Sequence, residues 1–386
     1  MKSNIKMIII YVMRTVMHLL QLFPIKQNRI IFNAYRGSQY SCNPKYISEY
    51  LNDHYPSKFE IIWAFNDVNK FKYLENDNIK LVKFNSLKRF YYEATCKISI
   101  NNVGSFSWIP RRMGQEHVNT WHAGFGYKKI GLGESVNDDL MKKTIQISSN
   151  ETTLITSTSK EFTPDIAKSD LGYKGKILEC GYPRNDVLFK QKYNDINLYL
   201  KVTKYFGITK DAYIVLYAPT WRYDKGTIPF AFDFRRVIDT FKEKYNKDVI
   251  VLSRMHHLTK KNINSTNNVI DATYYPDMQE LLAVADALIT DYSSSIWDYS
   301  VMEKPIYIHT NDIVQYEKNR GYHLAVKEWG FPISTSDDEL VSNINKMTSD
   351  FARKAAQKHR LYAGDFENGT ACKQISEFIL NKCENE

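Results

Sequence analysis

The stretch Ala287-Leu288-Ile289-Thr290-Asp291-Tyr292-Ser293-Ser294-Ser295-Ile296-Trp297-Asp298 carries most of the information about the fold. A short apolar run, Ala287 to Ile289, ends in a cluster of hydroxyl groups, and a helix is expected to follow at once. A buried strand that leads straight into a helix is the repeating unit of parallel α/β sheets.

The same stretch also predicts a binding site for phosphate. The first amides of a helix have no partner within the helix and carry partial positive charge, so helix starts bind anions. Serine and aspartate are common N-caps, and a single serine would need no other explanation. Three consecutive serines, Ser293 to Ser295, bracketed by Asp291 and Asp298, favour a ligand site.

Outward from this stretch, short apolar runs alternate with longer mixed segments. Many of the runs are β-branched and too short for helices, so we interpret them as buried strands. The first series comprises Arg29–Asn33, Phe59–Phe65, Ile79–Phe84, Cys96–Asn101, His117–His122, Leu154–Ser157 and Ile177–Cys180. The second comprises Tyr213–Ala218, Asp248–Arg254, Val269–Asp271, Ala287–Thr290 and Pro305–His309. Segments between them, such as Phe230–Tyr245 and Asp277–Ala285, have helical spacing, and this alternation predicts parallel sheets.

The length of the chain predicts two domains, because 386 residues are too many for one hydrophobic core. A polar segment rich in Tyr and Lys interrupts the strand series around 190–210. We therefore predict an N-terminal helix in residues 1–24, a first domain in 25–195, a second in 196–350 and closing helices in 351–386.

One strand exit places a histidine beside a glycine-rich turn. The run that begins at His117 ends in Thr120-Trp121-His122-Ala123-Gly124-Phe125-Gly126-Tyr127-Lys128-Lys129-Ile130-Gly131. Histidine at such an exit suits proton transfer near neutral pH, although a histidine that caps the strand is the alternative. Glycine lets the backbone approach a ligand closely, so we assign Gly124 to the acceptor site. Lys128 and Lys129 either hold an anionic substrate there or remain solvated.

Two further exits offer donors for phosphate oxygens. Arg254 and His256 are two residues apart, so in an extended chain they point the same way, which favours His256 over His257. Both side chains form charge-assisted hydrogen bonds to phosphate. Thr220 and Arg222 follow Pro219 in the same manner.

These exits together predict an active site. In open parallel sheets, ligands bind beyond the carboxyl ends of the strands. We therefore expect a site in a cleft between two α/β domains, with nucleotide diphosphate chemistry. One histidine would deprotonate an acceptor hydroxyl, while Arg, His and helix-end amides hold the charge of the leaving phosphate.

The net charge and the cysteine content indicate which kinds of binding partner and cellular compartment to expect. The net charge of +9 indicates an anionic partner such as a membrane surface, an acidic polymer or a nucleotide, although excess lysine for solubility also explains much of it. The chain has no Lys/Arg block and no zinc-ligand spacing, so nucleic acid is not expected. Five cysteines without a C-x-x-C pair predict reduced thiols in a cytosol-facing protein, with no disulfide frame and no zinc site. Separately, we expect no metal site and no cofactor. Magnesium dependence and oligomeric state stay open.

The N-terminus has the pattern of an amphipathic helix. One half of its helical wheel is apolar and contains Ile8, Ile9, Val12, Met13, Val16, Leu19, Leu20 and Phe23. Lys6, Arg14, Thr15, His18 and Gln21 fall on the other half. A spanning helix would place Arg14 near the bilayer centre at high cost, so we predict a helix that lies on the membrane surface. Packing on the protein's own core is the alternative.

With these residues in view, the chain resembles the CDP-glycerol glycerophosphotransferase family of teichoic acid synthesis. The resemblance rests on the following segments: Thr120-Trp121-His122-Ala123-Gly124 with Lys128-Lys129-Ile130-Gly131, Gly181-Tyr182-Pro183-Arg184-Asn185-Asp186, Tyr217-Ala218-Pro219-Thr220-Trp221-Arg222, Arg254-Met255-His256, Thr290-Asp291-Tyr292-Ser293-Ser294, Lys304-Pro305-Ile306 and Arg320-Gly321. It implies a GT-B fold with two Rossmann-like domains and an enzyme peripheral to the cytoplasmic face of the membrane. It also implies transfer of glycerol or ribitol phosphate from a CDP-polyol to a lipid-linked or polymeric acceptor, with release of CMP.

The resemblance also implies roles for single residues. His122 is the candidate base and His256 assists at the diphosphate. The serine-rich stretch is similar to a phosphate- and ribose-binding segment of nucleotide-sugar epimerases, which assigns Asp298 to the ribose. The full donor site is then Thr220, Arg222, Arg254, Thr290, Asp291, Ser293, Ser294, Ser295 and Asp298. The acceptor site is Gly124, Lys128 and Lys129.

Two other functions fit parts of the same pattern. A GT-B glycosyltransferase that uses a nucleotide sugar needs the same phosphate-binding groups. A peripheral scaffold that binds anionic lipid or wall polymer needs only the positive charge.

Overall fold

All strands in the described part of the chain lie in two parallel sheets. The computed structural model describes residues 2–134, 139–192, 196–209, 211–220, 232–255 and 268–384. The first sheet contains β1 (Lys26–Asn33), β2 (Glu60–Phe65), β3 (Lys80–Lys83), β4 (Cys96–Asn101), β5 (Glu116–Asn119), β6 (Leu154–Ser157) and β7 (Lys176–Glu179). The second contains β8 (Tyr213–Tyr217), β9 (Val249–Ser253), β10 (Val269–Asp271), β11 (Ala287–Thr290), β12 (Ile306–His309) and β13 (Ile333–Ser334).

The strand order in both sheets is that of a doubly wound fold. The first sheet runs β3-β2-β1-β4-β5-β6-β7 and the second β10-β9-β8-β11-β12-β13. The chain therefore reverses direction across the sheet between β1 and β4, and again between β8 and β11, which are the positions where such folds bind ligands. The predicted parallel α/β class is confirmed, and each of the twelve predicted strands is present. The two-residue β13 was missed because it is too short to form an apolar run.

Helices connect most of the strands. In chain order they are α1 (Lys2–Leu20), α2 (Cys42–His54), α3 (Leu87–Thr95), α4 (Asp139–Glu151), α5 (Asp186–Lys192), α6 (Ile196–Phe206), α7 (Phe234–Tyr245), α8 (Met278–Val284), α9 (Ser295–Ser300), α10 (Ile313–Arg320), α11 (Asp337–Lys346), α12 (Ser349–Ala363) and α13 (Ala371–Glu384). Several begin at the side-chain caps that the sequence offers: Ser86 accepts from the amide of Arg89, and Asp277 from that of Gln279.

The strands are apolar on both faces because helices cover both faces of each sheet. In the second sheet, Leu216, Leu252 and Leu288 pack in one buried cluster with helix α8. Their neighbours along the strands, such as Val215 and Val251, pack in another cluster with α7 and α11. This alternation explains why the strands read as continuous apolar runs.

The chain divides into two compact units. Unit 1 comprises Met1–Ala123, Lys129–Asp186 and Phe366–Glu386, and unit 2 comprises Gly124–Lys128 and Val187–Asp365. The last helix therefore packs on the first sheet, because Ile375 and Ile379 of α13 lie in the buried apolar cluster that contains residues of β1 and β4. The sequence predicted a boundary at residue 195 and one closing segment, 351–386. The contacts instead separate the units after Asp186 and divide the closing segment at Asp365. Contacts between distant residues define these units, and local composition does not report such contacts.

Helix α1 packs on unit 1 through a side that combines apolar residues with an arginine, and its more apolar side is exposed. Ile10 and Met17 are buried, and Arg14, which lies between them on the same side, forms an ion pair with Glu151 at 2.5 Å. The opposite side exposes an apolar row that contains Ile5, Ile8, Val12 and Leu19. Among the described residues, no helix has both the length and the apolar character needed to span a membrane.

Candidate active site

His122 lies just beyond β5 in unit 1, after a strained turn. The strand ends at Asn119, three residues earlier than predicted, because Trp121 takes a left-handed backbone with φ of 48°. A bulky residue rarely adopts this conformation, so the turn must be held by its surroundings. The turn carries His122 out of the sheet at its carboxyl edge.

The ring of His122 is oriented by the neighbouring strand exit. Its Nδ1 is 2.8 Å from the carbonyl oxygen of Asn102, which follows β4. A carbonyl only accepts hydrogen bonds, so Nδ1 carries the proton and Nε2 is the basic nitrogen of the neutral ring. The ring of Tyr35, at the exit of β1, lies 5.5 Å from that of His122 between centroids. The histidine is half-buried, and this tautomer suits a general base.

A polar network holds the backbone around His122. The side-chain amide of Asn43 donates to the carbonyls of Thr120 and Trp121 at 3.1 and 3.0 Å. The guanidinium of Arg184 donates to the carbonyl of His122 at 2.5 Å, and the amide of Arg184 donates to Asn43 Oδ1 at 3.2 Å. Each of these groups is buried, so the network fixes the position of the candidate base.

This supporting role was not predicted. Gly181–Asp186 entered the prediction only as a segment that carries the family resemblance, and the structure adds that its Arg184 contacts the His122 turn. The presence of Arg184 in a motif shared with a family was the only available signal. The buried Glu367 completes the arrangement by accepting from the amide of Tyr182 at 3.0 Å and from Asn185 at 2.8 Å.

Gly124 has a packing reason to be glycine. It belongs to unit 2, and a Cβ added there would lie 2.2 Å from Cδ1 of the buried Trp297 and 3.0 Å from Oδ1 of Asp298. Only glycine fits at that distance. Its predicted contact with an acceptor stays a prediction.

The two predicted lysines belong to different units. Lys128 ends the short segment of unit 2, where its Nζ donates to the hydroxyl of Tyr316 at 3.1 Å. Lys129 begins the second stretch of unit 1 and is half-buried. Their role in holding an anionic substrate stays a prediction.

Thr290 and Asp291 connect the exits of two central strands of unit 2. The hydroxyl of Thr290 donates to the carbonyl of Ala218 at 2.6 Å. Asp291 Oδ1 accepts from the amide of Thr220 at 2.8 Å and from that of Tyr292 at 2.5 Å. Both side chains are buried. They therefore shape the loop that presents Thr220, and their predicted contact with the donor stays a prediction.

Ser293 to Ser295 lie at the start of α9, as the sequence pattern predicted. Two of them, Ser293 and Ser295, are hydrogen-bonded to each other. Ser293 Oγ accepts from the amide and from the hydroxyl of Ser295, at 3.2 and 3.0 Å. Ser294 occupies the N-cap position without a side-chain capping bond. Ser293 and Ser294 are half-buried, whereas Ser295 is buried.

Arg254 and Asp298 both contact the protein itself. The guanidinium of Arg254 donates to the carbonyl of Tyr275 at 2.6 Å. Asp298 is buried, and its Oδ2 accepts from the side chain of Gln279 at 2.8 Å. Gln279, which fixes the carboxylate assigned to ribose, belongs to no motif in the sequence.

Two predicted residues cannot be placed: His256 and Arg222 lie outside the described residues. The pairing of His256 with His122 at one diphosphate therefore stays a prediction. Within the described ranges, no group of three or more His, Cys, Asp or Glu side chains is arranged to hold a metal ion.

Comparison with known proteins places this geometry in context. A family model described as CDP-Glycerol:Poly(glycerophosphate) glycerophosphotransferase matches residues 13–381. The chain is 31% identical over 402 residues to a teichoic acid poly(glycerol phosphate) polymerase of Bacillus spizizenii, covering 98% of this chain and 100% of the relative. It is 29% identical over 395 residues to a teichoic acid glycerol-phosphate transferase of Staphylococcus aureus, covering 98% and 99%.

The fold also matches a solved structure. The wall teichoic acid polymerase TagF is similar with a TM-score of 0.83 at 25% identity, covering 99% of this chain and 96% of that chain. This likeness confirms the predicted GT-B fold class.

Proposed function

This chain belongs to the CDP-glycerol:poly(glycerophosphate) glycerophosphotransferase family, and we propose that it is a polyol-phosphate transferase of teichoic acid or capsule synthesis. It moves glycerol phosphate or ribitol phosphate from a CDP-activated polyol to a hydroxyl of a lipid-linked or polymeric acceptor. CMP is the second product. Both relatives compared above carry names that refer to glycerol phosphate, which favours glycerol as the polyol.

The orientation of His122 is the observation that carries the mechanism. With Nδ1 bonded to the carbonyl of Asn102, Nε2 accepts the proton of the acceptor hydroxyl. The acceptor oxygen then bonds to the phosphorus that bears the polyol. The bond from that phosphorus to the oxygen of the CMP phosphate breaks, and CMP leaves with the electron pair.

Donor binding is assigned to unit 2, where three neighbouring strands present polar groups. β9, β8 and β11 are adjacent in the sheet, and their exits carry Arg254, Thr220 and the serines Ser293 to Ser295. Amides, hydroxyls and a guanidinium fixed beforehand stabilise the charge that develops on the leaving phosphate. His256 and Arg222 complete this set in the proposal.

We assign the enzyme to the cytoplasmic face of the cell membrane as a peripheral protein. The support is the apolar row on α1, in which Ile8 is 61% and Leu19 is 64% exposed, together with the net charge of +9. A helix with this character lies in the interface, and basic residues strengthen its attraction to anionic lipid.

Donor specificity tests the proposed function. The purified protein is incubated with a lipid-linked acceptor and, separately, with CDP-glycerol, CDP-ribitol and a panel of UDP-sugars, while nucleotide release and acceptor mass are measured. We expect CMP release with one of the CDP-polyols and a mass increase of one or more polyol phosphates. Transfer of a sugar from a UDP donor, with no CMP release, would instead establish the glycosyltransferase alternative.

A further inference from the structure

Unit 1 contains a large cavity that the assigned site residues do not use. It has a volume of about 960 Å³ and lies between helix α1, the start of α3, helix α4 and the loop that follows β4. This volume is at the upper end of the range of about 300–1,000 Å³ that small-molecule sites span. The loop after β4 begins at Asn102, whose carbonyl orients His122, and the next residues of this loop, Val103 to Ser105, line the cavity.

The outer part of the cavity is apolar and joins the exposed face of α1. Ile9 of α1, Leu87 of α3 and Trp108 all line it and are 44%, 74% and 38% exposed. Met141 and Ile145 of α4 line the opposite side. This apolar lining suits an apolar ligand group. Ile9 lies one helical turn from Ile5 and from Val12, so it adjoins the row on α1 that we assign to the membrane surface.

A smaller cavity adjoins the large one on the side of the His122 turn. This second cavity of about 100 Å³ shares Val103 and Gly104 with the first and reaches Trp121, the residue before His122. Trp121 is nine-tenths buried, and its indole Nε1 has no hydrogen-bond partner among the described residues. Within the same part of the structure, the hydroxyl of Ser105, which lines the large cavity, also lacks a partner. Protein atoms enclose both donors, so neither is assigned to a ligand.

The charge of the lining favours an anion. Lys6 and Arg36 line the cavity and are exposed, whereas none of its described lining residues is Asp or Glu. Arg89, the other cation, is buried and paired with Glu93 at 2.9 Å. Two cations therefore remain for a ligand.

We propose that this cavity binds the lipid end of a lipid-linked acceptor: an apolar chain in the outer part and its anionic phosphate headgroup at Lys6 and Arg36. The inference rests on the proposed function, because it assigns the acceptor's lipid to the same site as His122. It places the lipid of the acceptor in unit 1, beside the loop whose Asn102 carbonyl orients His122.

A charge at the mouth tests the proposal. Leu87→Glu replaces an exposed side chain at the first position of α3, where a carboxylate suits the helix dipole, so the fold is retained. Leu361→Glu is the matched control, because Leu361 is 82% exposed and belongs to unit 2. Initial rates are measured with a short-chain lipid phosphate acceptor below its micelle concentration and with a soluble acceptor that lacks the lipid.

We expect Leu87→Glu to raise the KM for the lipid-linked acceptor roughly tenfold, since a weakened apolar and anionic contact of this kind changes affinity by about one order of magnitude. Its kcat on the soluble acceptor, and all constants of Leu361→Glu, should equal those of the wild type. Equal KM values for the two variants would overturn the proposal. An inactive wild type with every CDP-polyol and acceptor would instead contradict the proposed function, so the two failures are distinguishable.

The second test varies the length of the acceptor's apolar chain and reduces the cavity volume by substitution. For the wild type, the KM should fall as the acceptor's apolar chain is lengthened, until the chain fills the cavity. Met141→Trp, which adds volume at a half-buried wall position, should abolish this dependence and leave the KM of the soluble acceptor unchanged. A wild-type KM that is independent of chain length would exclude a chain-binding cavity.

Discussion

At the scale of single residues, the site is organised around a strained turn. The left-handed backbone of Trp121 costs roughly 1–3 kcal/mol for a residue of this size. Asn43 and Arg184 offset this cost with hydrogen bonds to the carbonyls of the turn. These hydrogen bonds therefore hold the strained turn in the conformation that positions His122.

Replacement of His122 by alanine should lower turnover by at least about 100-fold, the usual scale for loss of a general base. CMP release from the CDP-polyol donor measures it. His54→Ala is the matched control, because His54 is an exposed histidine of unit 1 whose Nδ1 also faces a carbonyl, that of Tyr50 at 3.0 Å. A His122→Ala enzyme that folds normally and retains more than a tenth of the wild-type rate would remove this residue from the mechanism.

Gly124→Ala distinguishes packing from acceptor binding. The added methyl would collide with Trp297, and forced overpacking of a core costs about 1–3 kcal/mol of unfolding free energy. Urea denaturation measures this loss. The φ of Gly124 lies outside the left-handed region, so this loss would report the collision and not backbone strain. If Gly124→Ala kept full stability and changed only the KM of the acceptor, the packing explanation would be wrong.

At the scale of the element, α1 is a helix with two different sides. Its packed side combines the buried Ile10 and Met17 with the ion pair of Arg14. Its free side contains the apolar row. Deletion of the whole helix would disturb both, so membrane attachment is better tested by single charges on the free side.

Val12→Glu should weaken binding to vesicles that contain anionic lipid by roughly tenfold or more, because a charge in the apolar face opposes insertion into the interface. Val12 is 56% exposed, so the unfolding free energy should change by less than about 0.5 kcal/mol. Leu361→Glu, at an 82% exposed position in unit 2, is the control for charge alone. Vesicle sedimentation measures the binding. Equal binding of the two variants would contradict a membrane role for the apolar row.

At the scale of the whole molecule, each unit contains a buried histidine that makes the folded state less stable at acidic pH. Burial lowers the pKa of His117 in unit 1 to about 3 and that of His359 in unit 2 to about 4. His117 stacks on Phe106 at 4.4 Å, and its ring nitrogens have no hydrogen-bond partner within the described part of the chain. Both rings are therefore neutral in the folded protein over most of the acid range.

Stability should consequently fall as the pH is lowered from about 6.5 toward about 4. Above this window the rings are neutral in both states, so they contribute no pH dependence. Within it the unfolded chain binds protons that the folded chain does not, and each histidine lowers the unfolding free energy by up to about 1.4 kcal/mol per pH unit. Denaturation between pH 4 and 8 measures the slope. His117→Phe should flatten it, and an unchanged slope would contradict a neutral His117 in the folded state.

The parts of the fold that follow from local pattern were predictable from the sequence. Runs such as Ala287–Thr290 identified their strands because burial on both faces requires continuous apolar residues. The strand exits likewise identified His122, since parallel strands bring their carboxyl ends to one edge. The contact of Arg184 with the His122 turn joins residues 62 positions apart, so no local spacing indicated it.

The sequence by itself determined the parallel α/β class, the series of strands and the family, because each is written in short-range periodicity or in residues adjacent along the chain. Only the tertiary structure decided that α13 returns to unit 1, that Gly124 must be small to clear Trp297, and that a cavity beside α1 continues from the loop at His122. These properties depend on which distant surfaces meet. Side-chain packing between distant segments creates them, and it has no period along the chain.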